Sequence, residues 1–430
     1  MDYDLAIIGA GWAGYNAAIK AKKTGLKVAL IEGSQVGGTC LNQGCIPTKT
    51  LIQSAKTFAL IQKAATFGIS SGKPHINFIK IQERKDGIIR QLRQGMASQL
   101  KGVDLLTAQA RLLSPDTIEA GYKQLKSRSI ILATGSRPVE LKNLKFDGKR
   151  ILNSDQILDL RSIPKDLLII GGGVIGCEFA SLFSILGSNV SIAEKMPQIL
   201  PGEDIEIAKK LAVIFKKKGI KVHTSTESTS LDLSNYDLVL VCIGRTPRTE
   251  DLGLEKAGVK LENTRIAVDD YLRTSRRNIY AAGDCTSKTM LAHFAAYQGI
   301  IAAENIANPD HPKLANNNII PNCIFTAPEI SSIGLSQEKA TQENLDFKVY
   351  KFDFLESGMA RIINETEGFI KILCDRKTDV ILGASIIGPR ATELISVLAV
   401  ALQGQLKLSQ IRATILPHPT LSESIVEALK

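Results

Sequence analysis

The sequence predicts an α/β fold made of two Rossmann-like, three-layer dinucleotide-binding domains and a C-terminal α+β domain with an antiparallel sheet. A short apolar run leads into a GxGxxG turn and a helical pattern near residue 10, and the same arrangement recurs near residue 170. Beyond about Pro312 the pattern changes to runs such as Phe369–Leu373 and Val380–Ala384, which are typical of antiparallel strands. A helical pattern follows from Thr392.

The first domain contains every part of a dinucleotide site. Gly9, Gly11 and Gly14 form the turn between the buried-strand run Leu5–Ile8 and an alanine-rich helix. The next predicted strand ends at Glu32, about twenty residues past the glycines, where a carboxylate binds a ribose hydroxyl. Backbone amides at the helix N-terminus would hold the pyrophosphate.

The second domain repeats this arrangement with Gly171, Gly173 and Gly176. Its second strand ends at Glu194, and an acid there favours NAD over NADP because it repels a 2′-phosphate. Lys195 follows directly and weakens this preference. Gly244, after the last strand run of this domain, would let the nicotinamide end come close.

Two cysteines, Cys40 and Cys45, follow the first turn with four residues between them. Gly44 gives the backbone the freedom to close a small disulfide loop. Because so short a loop removes little entropy from the unfolded chain, a redox role fits better than a structural one. The alternative is a pair of reduced, buried thiols without a role. Pro47 then marks the start of a helix.

Composition excludes several classes of protein. No segment is apolar for about 18 residues, so we expect no membrane span. The first strand begins near Tyr3, which leaves no room for a signal or transit peptide. The remaining cysteines read as core thiols in a reducing compartment, which predicts a cytoplasmic protein; they are Cys177, Cys242, Cys285, Cys323 and Cys374.

The net charge of +10 fits a lysine-rich, solvated surface. Attraction of acidic partners or anionic cofactors is the alternative. Nucleic-acid binding is disfavoured because no recognition motif accompanies the basic residues.

The motif Gly-Gly-Thr-Cys-Leu-Asn-x-Gly-Cys-Ile-Pro-x-Lys at residues 37–49 resembles the redox signature of the pyridine nucleotide-disulfide oxidoreductases, and most closely their dihydrolipoamide dehydrogenase branch. The resemblance implies FAD in the first domain, NAD in the second and a redox disulfide between Cys40 and Cys45. It also implies further FAD contacts; they are Gly37, Gly38, Thr39, Lys49, Ala110, Thr134, Gly135, Ser136, Asp284, Met290, Leu291, Ala292 and His293. Ala110 departs from the glycine that is frequent at its position.

The resemblance also pairs Glu178 with Lys49 beside the flavin, against the alternative of a solvated helix carboxylate. It divides the chain into a split FAD domain at 1–148 and 265–311, an NAD domain at 149–264 and a dimerisation domain at 312–430. The NAD domain is trimmed, since only Ser/Thr-rich sequence separates Val222 from Asp237 where the family carries a strand-rich excursion.

The tail Leu416–Glu423 resembles the same branch. A thiol is mostly protonated at neutral pH and needs a base, which His418 can supply, and Glu423 could orient its ring. In the family this histidine reaches the disulfide of the other subunit, which implies a homodimer. The alternative is a loop histidine between two prolines.

The implied activity is oxidation of dihydrolipoamide with reduction of NAD⁺, on lipoyl-bearing proteins of a 2-oxo acid dehydrogenase or glycine cleavage complex. No metal is expected. A glutathione- or mercuric-reductase-like enzyme is disfavoured, the latter because the last cysteine is Cys374 rather than one near the C-terminus. A non-catalytic, FAD-bearing complex subunit is the alternative from another class.

Overall fold

The computed structural model describes residues 1–70 and 72–430, with the backbone alone at Thr229. Within these residues, none of the helices combines the length and apolar content that crossing a bilayer requires.

The strands follow one another as β1 (Tyr3–Ile8), β2 (Val28–Glu32), β3 (Asp104–Thr107), β4 (Ala110–Leu112), β5 (Thr117–Ala120), β6 (Lys123–Leu132), β7 (Ser136–Pro138), β8 (Ile151–Leu152), β9 (Asp166–Ile170), β10 (Asn189–Ala193), β11 (Lys221–His223), β12 (Leu238–Val241), β13 (Arg245–Pro247), β14 (Leu261–Glu262), β15 (Arg265–Ile266), β16 (Ile279–Ala281), β17 (Asn322–Ile324), β18 (Glu329–Gly334), β19 (Phe347–Asp353), β20 (Phe369–Asp375) and β21 (Ile381–Gly388).

The α-helices are α1 (Trp12–Lys23), α2 (Gly38–Gln43), α3 (Cys45–Gln62), α4 (Phe78–Gln99), α5 (Val174–Ile185), α6 (Ile205–Lys217), α7 (Leu254–Ala257), α8 (Ala292–Ala307), α9 (Gln337–Gln342), α10 (Gly358–Ile362), α11 (Ala391–Gln403), α12 (Leu408–Arg412) and α13 (Glu423–Ala428). Single turns of 3₁₀-helix lie at Ala64–Phe67, Gln156–Asp159, Ser228–Ser230, Leu233–Asn235 and Phe354–Glu356.

The first sheet has the strand order β3-β2-β1-β6-β5-β4, and β16 also pairs with β6. Strand β6 is long enough to serve two ladders: Ser127–Leu132 runs parallel to β1, and Lys123–Lys126 runs antiparallel to β5. The parallel part carries the first glycine turn at the carboxyl end of β1, where Rossmann-like sheets bind their ligands.

Small residues bring helices α1 and α8 close together on one face of this sheet. A Cβ added at Gly299 of α8 would lie 2.1 Å from the Ala13 carbonyl oxygen, so this position requires glycine. Ala17, Ala18 and Ala21 of α1 are fully buried, as expected for a closely packed helix face. This packing fixes the N-terminus of α1 at the ligand edge of the sheet.

The second sheet is parallel throughout, with the order β11-β10-β9-β12-β8. Among the described residues no strand lies between 224 and 237; two 3₁₀ turns occupy this segment, as the trimmed sequence predicts. In the first sheet the corresponding segment, which follows edge strand β3, forms the antiparallel pair β4–β5. Here the apolar side chains of two loops cover the sheet face instead; they are Leu141, Leu144, Phe146, Leu231, Leu233 and Tyr236.

The third sheet is antiparallel, with the order β17-β18-β21-β20-β19, and α11 packs against β18 and β21. The predicted helix from Thr392 is therefore α11, which begins at Ala391. Strand β20 is buried on both faces, including Lys371, whose ammonium bonds Asp204 and Glu206 at the start of α6. Ionic contacts thus join the second and third sheets.

Candidate functional site

The two cysteines lie on adjoining helices rather than in a loop. Cys40 is in the short helix α2 and Cys45 is the first residue of α3, with Gly44 between the helices. Helix α3 begins two residues before Pro47, which its first turn accepts because the amide there needs no intrahelical partner. Both residues are free cysteines, the reduced form of the pair.

The two thiols differ in acidity. The hydrogen bond from Cys40, together with the charge of Lys49, lowers the pKa of Cys45 to about 7, although burial opposes this. The same hydrogen bond and burial raise the pKa of Cys40. Cys45 is therefore the thiol of the pair that ionises first, in the neutral pH range.

Lys49 and Glu178 form the ion pair that the resemblance implies. The Lys49 Nζ lies 2.8 and 2.7 Å from the two carboxylate oxygens of Glu178. Burial lowers the pKa of Lys49, but Glu178 and the two cysteines together outweigh burial, and the pKa is raised overall. The Phe325 amide donates to Glu178 over 2.9 Å, and its ring lies under the ammonium at 4.8 Å. Glu178 is buried, so the alternative of a solvated helix carboxylate is wrong.

Both glycine turns require glycine for the same reason, because an added Cβ would collide with a backbone carbonyl oxygen. At Gly9 an added Cβ would lie 2.3 Å from the Ala133 carbonyl oxygen, and at Gly171 it would lie 2.5 Å from that of Cys242. At Gly14 it would lie 1.8 Å from the Gly9 oxygen, and at Gly176 the distance to the equivalent Gly171 oxygen is 1.9 Å. These contacts bring each helix close to its turn.

The two strand-end acids also play one structural role. Glu32 accepts hydrogen bonds from the amides of Ala10 (2.7 Å) and Ser34 (2.8 Å). Glu194 accepts from the amides of Gly172 (2.6 Å) and Met196 (2.7 Å). Each carboxylate thus ties its glycine turn to the end of the neighbouring strand, at the position where a ribose hydroxyl would bind.

One cleft of about 1670 Å³ connects both turns with the cysteine pair. The predicted residues that line it are Gly11, Gly37, Thr39, Cys40, Cys45, Lys49, Gly135, Ser136, Gly171, Gly173, Glu178, Glu194, Gly244, Asp284, Met290, Leu291, Ala292 and His293. The others lie outside its lining: Gly9, Gly14, Glu32, Gly38, Ala110, Thr134, Gly176, His418 and Glu423. Cys323 lines it too; it is half-buried and packs against the core of the third sheet, so it borders the core and the cleft at once.

A polar network joins three segments at the first turn. The Ser136 hydroxyl donates to Asp284 over 2.6 Å, and the Arg245 Nε donates to Ser136 over 2.8 Å. The antiparallel pair β7–β13 holds Ser136 and Arg245 together. Nearby, burial lowers the pKa of His293, whose Nε2 lies 2.9 Å from the Pro321 oxygen. The hydrogen bond from Ser136, which Arg245 supports, holds the Asp284 carboxylate at the cleft.

The C-terminal histidine forms its predicted pair but stands apart from the thiols. The His418 Nδ1 lies 2.9 Å from Glu423, whose other oxygen accepts from the Thr420 amide at 2.7 Å. These two hydrogen bonds lower the pKa of Glu423. The His418 side chain is 82% exposed and lies outside the cleft lining. A single chain therefore does not bring this base to Cys40 and Cys45.

Comparison with known proteins identifies the family. Residues 3–299 match the pyridine nucleotide-disulphide oxidoreductases, and residues 320–429 match the dimerisation domain of the same family. The chain belongs to this family. Dihydrolipoyl dehydrogenases are among its relatives: that of Bacillus subtilis is 38% identical, covering 99% of this chain and 97% of the relative, and that of Chlamydia muridarum is 41% identical, covering 99% and 96%.

Solved structures of the family have the same fold. LpdA from Mycobacterium tuberculosis matches with a TM-score of 0.92 at 28% identity, covering 99% of this chain and 98% of the LpdA chain. Pyridine nucleotide-disulphide oxidoreductases use FAD and NAD(H), and the matched dimerisation domain supports a homodimer. The cleft fits two dinucleotides, since it reaches two turns at which glycine leaves the backbone open.

The sequence did not indicate Trp12 as a residue of the oxidoreductase site. Trp12 lines the cleft, and its indole N–H faces the Cys40 sulfur, where it opposes the rise in the pKa of that thiol. Trp12 follows Gly11 in the first glycine turn, and Cys40 lies in helix α2, which begins at Gly38. The turn and the start of α2 touch, since a Cβ at Gly38 would come within 2.6 Å of the Gly11 Cα. A signal was available: this is the single tryptophan of the chain, within the glycine turn.

Proposed function

We propose that this chain is a dihydrolipoyl dehydrogenase, which oxidises a dihydrolipoyl group and reduces NAD⁺. The observation that carries the proposal is the cleft in which two thiols of unequal acidity, with Lys49 beside them, adjoin two dinucleotide turns. The names of the relatives support the choice of substrate.

Cys40 and Cys45 act in turn on the substrate dithiol. With the pair as a disulfide, a substrate thiolate attacks the Cys40 sulfur, the Cys40–Cys45 bond breaks, and Cys45 leaves as a thiolate. The lowered pKa of Cys45 suits it to leave, and Lys49 stabilises the new charge. The second substrate thiolate attacks the sulfur bound to Cys40, which releases the oxidised lipoyl disulfide and the Cys40 thiolate.

His418 of one subunit acts on the thiols of the other. Its ring accepts the proton of the first substrate thiol, while Glu423 keeps Nδ1 oriented and stabilises the imidazolium. The exposure of His418 outside its own cleft supports this arrangement across a homodimer.

FAD belongs in the domain at 1–148 and 265–311 and NAD in the domain at 149–264, with dimerisation through 312–430. Gly9, Gly11, Gly14 and Asp284 would hold FAD, and Gly171, Gly173, Gly176 and Gly244 would hold NAD. When bound, FAD would supply the redox chemistry that connects the dithiol with NAD⁺. The partners are lipoyl-bearing proteins of a 2-oxo acid dehydrogenase or glycine cleavage complex.

Steady-state kinetics of the purified enzyme test the activity. Because substrate oxidation and NAD⁺ reduction are separate half-reactions, double-reciprocal plots should be parallel. Cys45→Ser should retain FAD and lose dihydrolipoamide turnover. Intersecting plots or retained turnover would contradict the proposal.

A comparison of rates with different electron acceptors tests the alternative reductase activities. NADH oxidation is measured with lipoamide, glutathione disulfide and Hg²⁺, and repeated with NADPH. We expect lipoamide with NADH to give the largest rate. A larger rate with glutathione disulfide or Hg²⁺ would favour another reductase of this family.

A further inference from the structure

The segment that replaces the missing strands of the second sheet is held against the end of β10. The Glu194 amide donates to the His223 oxygen over 2.8 Å, and the Thr226 amide donates to the Glu194 oxygen over 2.9 Å. The Ser225 amide donates to the Met196 oxygen over 3.0 Å. Three backbone hydrogen bonds therefore fix residues 223–226 beside residues 194–196, next to the strand-end acid.

This pairing brings the next residue, Glu227, to the mouth of the cleft. Its carboxylate lies 3.0 Å from the Nζ of Lys195, and both side chains line the cleft together with Glu194. The two partners remain largely solvated, with exposed fractions of 73% for Lys195 and 58% for Glu227. Lys195 thus follows one carboxylate in sequence, that of Glu194, and pairs with a second, that of Glu227, which the short segment supplies.

We propose that Glu227 is a specificity-determining residue that excludes dinucleotides with a phosphate on the adenosine 2′-oxygen. The inference rests on the proposed place of NAD in the second domain. A strand-end acid binds the ribose 2′-hydroxyl, and a nearby cation is what accommodates a 2′-phosphate. Lys195 is a cation in that position, and Glu227 both neutralises it and adds a second negative charge. The discrimination therefore includes a repulsive element as well as a lost attraction.

The test uses two ligands that cannot be reduced, adenosine 5′-monophosphate and adenosine 2′,5′-bisphosphate. Each is titrated calorimetrically into the oxidised holoenzyme and into Glu227→Gln. We expect the affinity ratio to shift about tenfold towards the bisphosphate in E227Q, and the shift to shrink in high salt because the charges are exposed. An unchanged ratio in E227Q, with the monophosphate still bound, overturns the inference.

Two further variants separate charge from folding. Lys195→Gln should weaken bisphosphate binding relative to the monophosphate, and adding it to E227Q should abolish the gain. Asp346→Asn is the control: it breaks the similarly exposed ion pair between Asp346 and Arg376, which lie 2.8 Å apart, and should leave the affinity ratio unchanged. If the gain in relative bisphosphate affinity survives in the double variant, or appears in D346N, the proposed role of the Lys195–Glu227 pair is overturned. If the wild type binds neither ligand, the proposed NAD site itself is wrong.

Discussion

The ammonium of Lys49 lies between a carboxylate and a thiol, and both neighbours depend on its charge. Glu178 is buried and accepts from Lys49 through both oxygens, and Lys49 and the Phe325 amide together compensate the desolvation of its carboxylate. The pKa of Cys45 is lowered first by the hydrogen bond from Cys40 and then by the same positive charge, which favours the thiolate.

Replacing Lys49 with Met should therefore raise the pKa of Cys45 above its present value of about 7. In the two-electron-reduced enzyme, the absorbance that arises from the Cys45 thiolate beside the flavin is lost as the pH falls. This loss should occur at a higher pH in the variant than in the wild type. Glu178 would also lose its partner, so the free energy of unfolding should fall by about 3 kcal/mol. Lys49→Arg keeps the charge and should titrate closer to the wild type. A wild-type titration in K49M would exclude this role.

Residue contacts within motifs could be predicted from the sequence, whereas contacts between distant segments could not. The cysteine spacing and the strand-end acids follow from local patterns. The Phe325 amide bond to Glu178 joins residues 147 positions apart, and the buried Lys371 stands in a run that resembles an ordinary strand. Such contacts depend on tertiary packing, which leaves no periodic signal in the sequence.

At the level of elements, the two strand–turn–helix units are equivalent in sterics and in hydrogen bonding. Each turn accepts no side chain at its first or last glycine, and each is tied to a strand-end acid. The apolar runs of β1 and β9 predicted both units. The sharing of β6 between two ladders and the loop cover of the second sheet were not predictable, since neither has a distinctive pattern.

Equivalent substitutions should therefore remove different cofactors. Gly14→Ala would place a Cβ 1.8 Å from the Gly9 oxygen and should prevent retention of FAD, while Gly176→Ala, with a distance of 1.9 Å, should retain FAD and weaken NAD⁺ binding. Each variant should lose about 1–3 kcal/mol of stability through overpacking. Flavin content, NAD⁺ titration and thermal unfolding measure these effects.

Gly95→Ala is the matched control, because no atom lies within 4 Å of its added Cβ in α4. It should retain both cofactors and gain about 0.5 kcal/mol from helix propensity. Loss of FAD from G176A alone would reverse the proposed assignment of the two turns.

Across the whole molecule, a buried ionic cluster connects the second sheet's helix α6 with the third sheet. Lys371 and Asp204 are 1% and 0% exposed and lie 2.9 Å apart. Glu206 joins them at 2.8 Å and also pairs with Lys351 at 2.7 Å. Hydrogen bonds from Lys351 and Lys371 lower the pKa of Glu206 to about 2.

Because the folded-state pKa of Glu206 lies below its unfolded value of about 4.3, its stabilisation is complete above that value and is lost as the pH falls towards about 2. The difference in melting temperature between wild type and Glu206→Gln should therefore be largest above about pH 5 and disappear near pH 2. Glu367→Gln is the control, since Glu367 lies 3.8 Å from Lys217 in a looser pair. A difference independent of pH would show that the charge is not responsible.

Subunit mixing tests whether the site spans the dimer. Cys45→Ser and His418→Gln should each be inactive as homodimers. A purified heterodimer of the two, isolated with a different tag on each chain, keeps one intact site and should recover about half of the wild-type activity if thiols and base come from different subunits. An inactive heterodimer would place both groups of each site in one subunit.

The paired bonds of Glu194 to Gly172 and Met196 set a limit on redesign of the cofactor preference. Reversing the charge at this position would remove the acceptor that ties the glycine turn to the strand, so the loop would lose its shape together with its selectivity. Protein engineers who want the phosphorylated coenzyme should therefore leave that carboxylate in place and alter the rim around it.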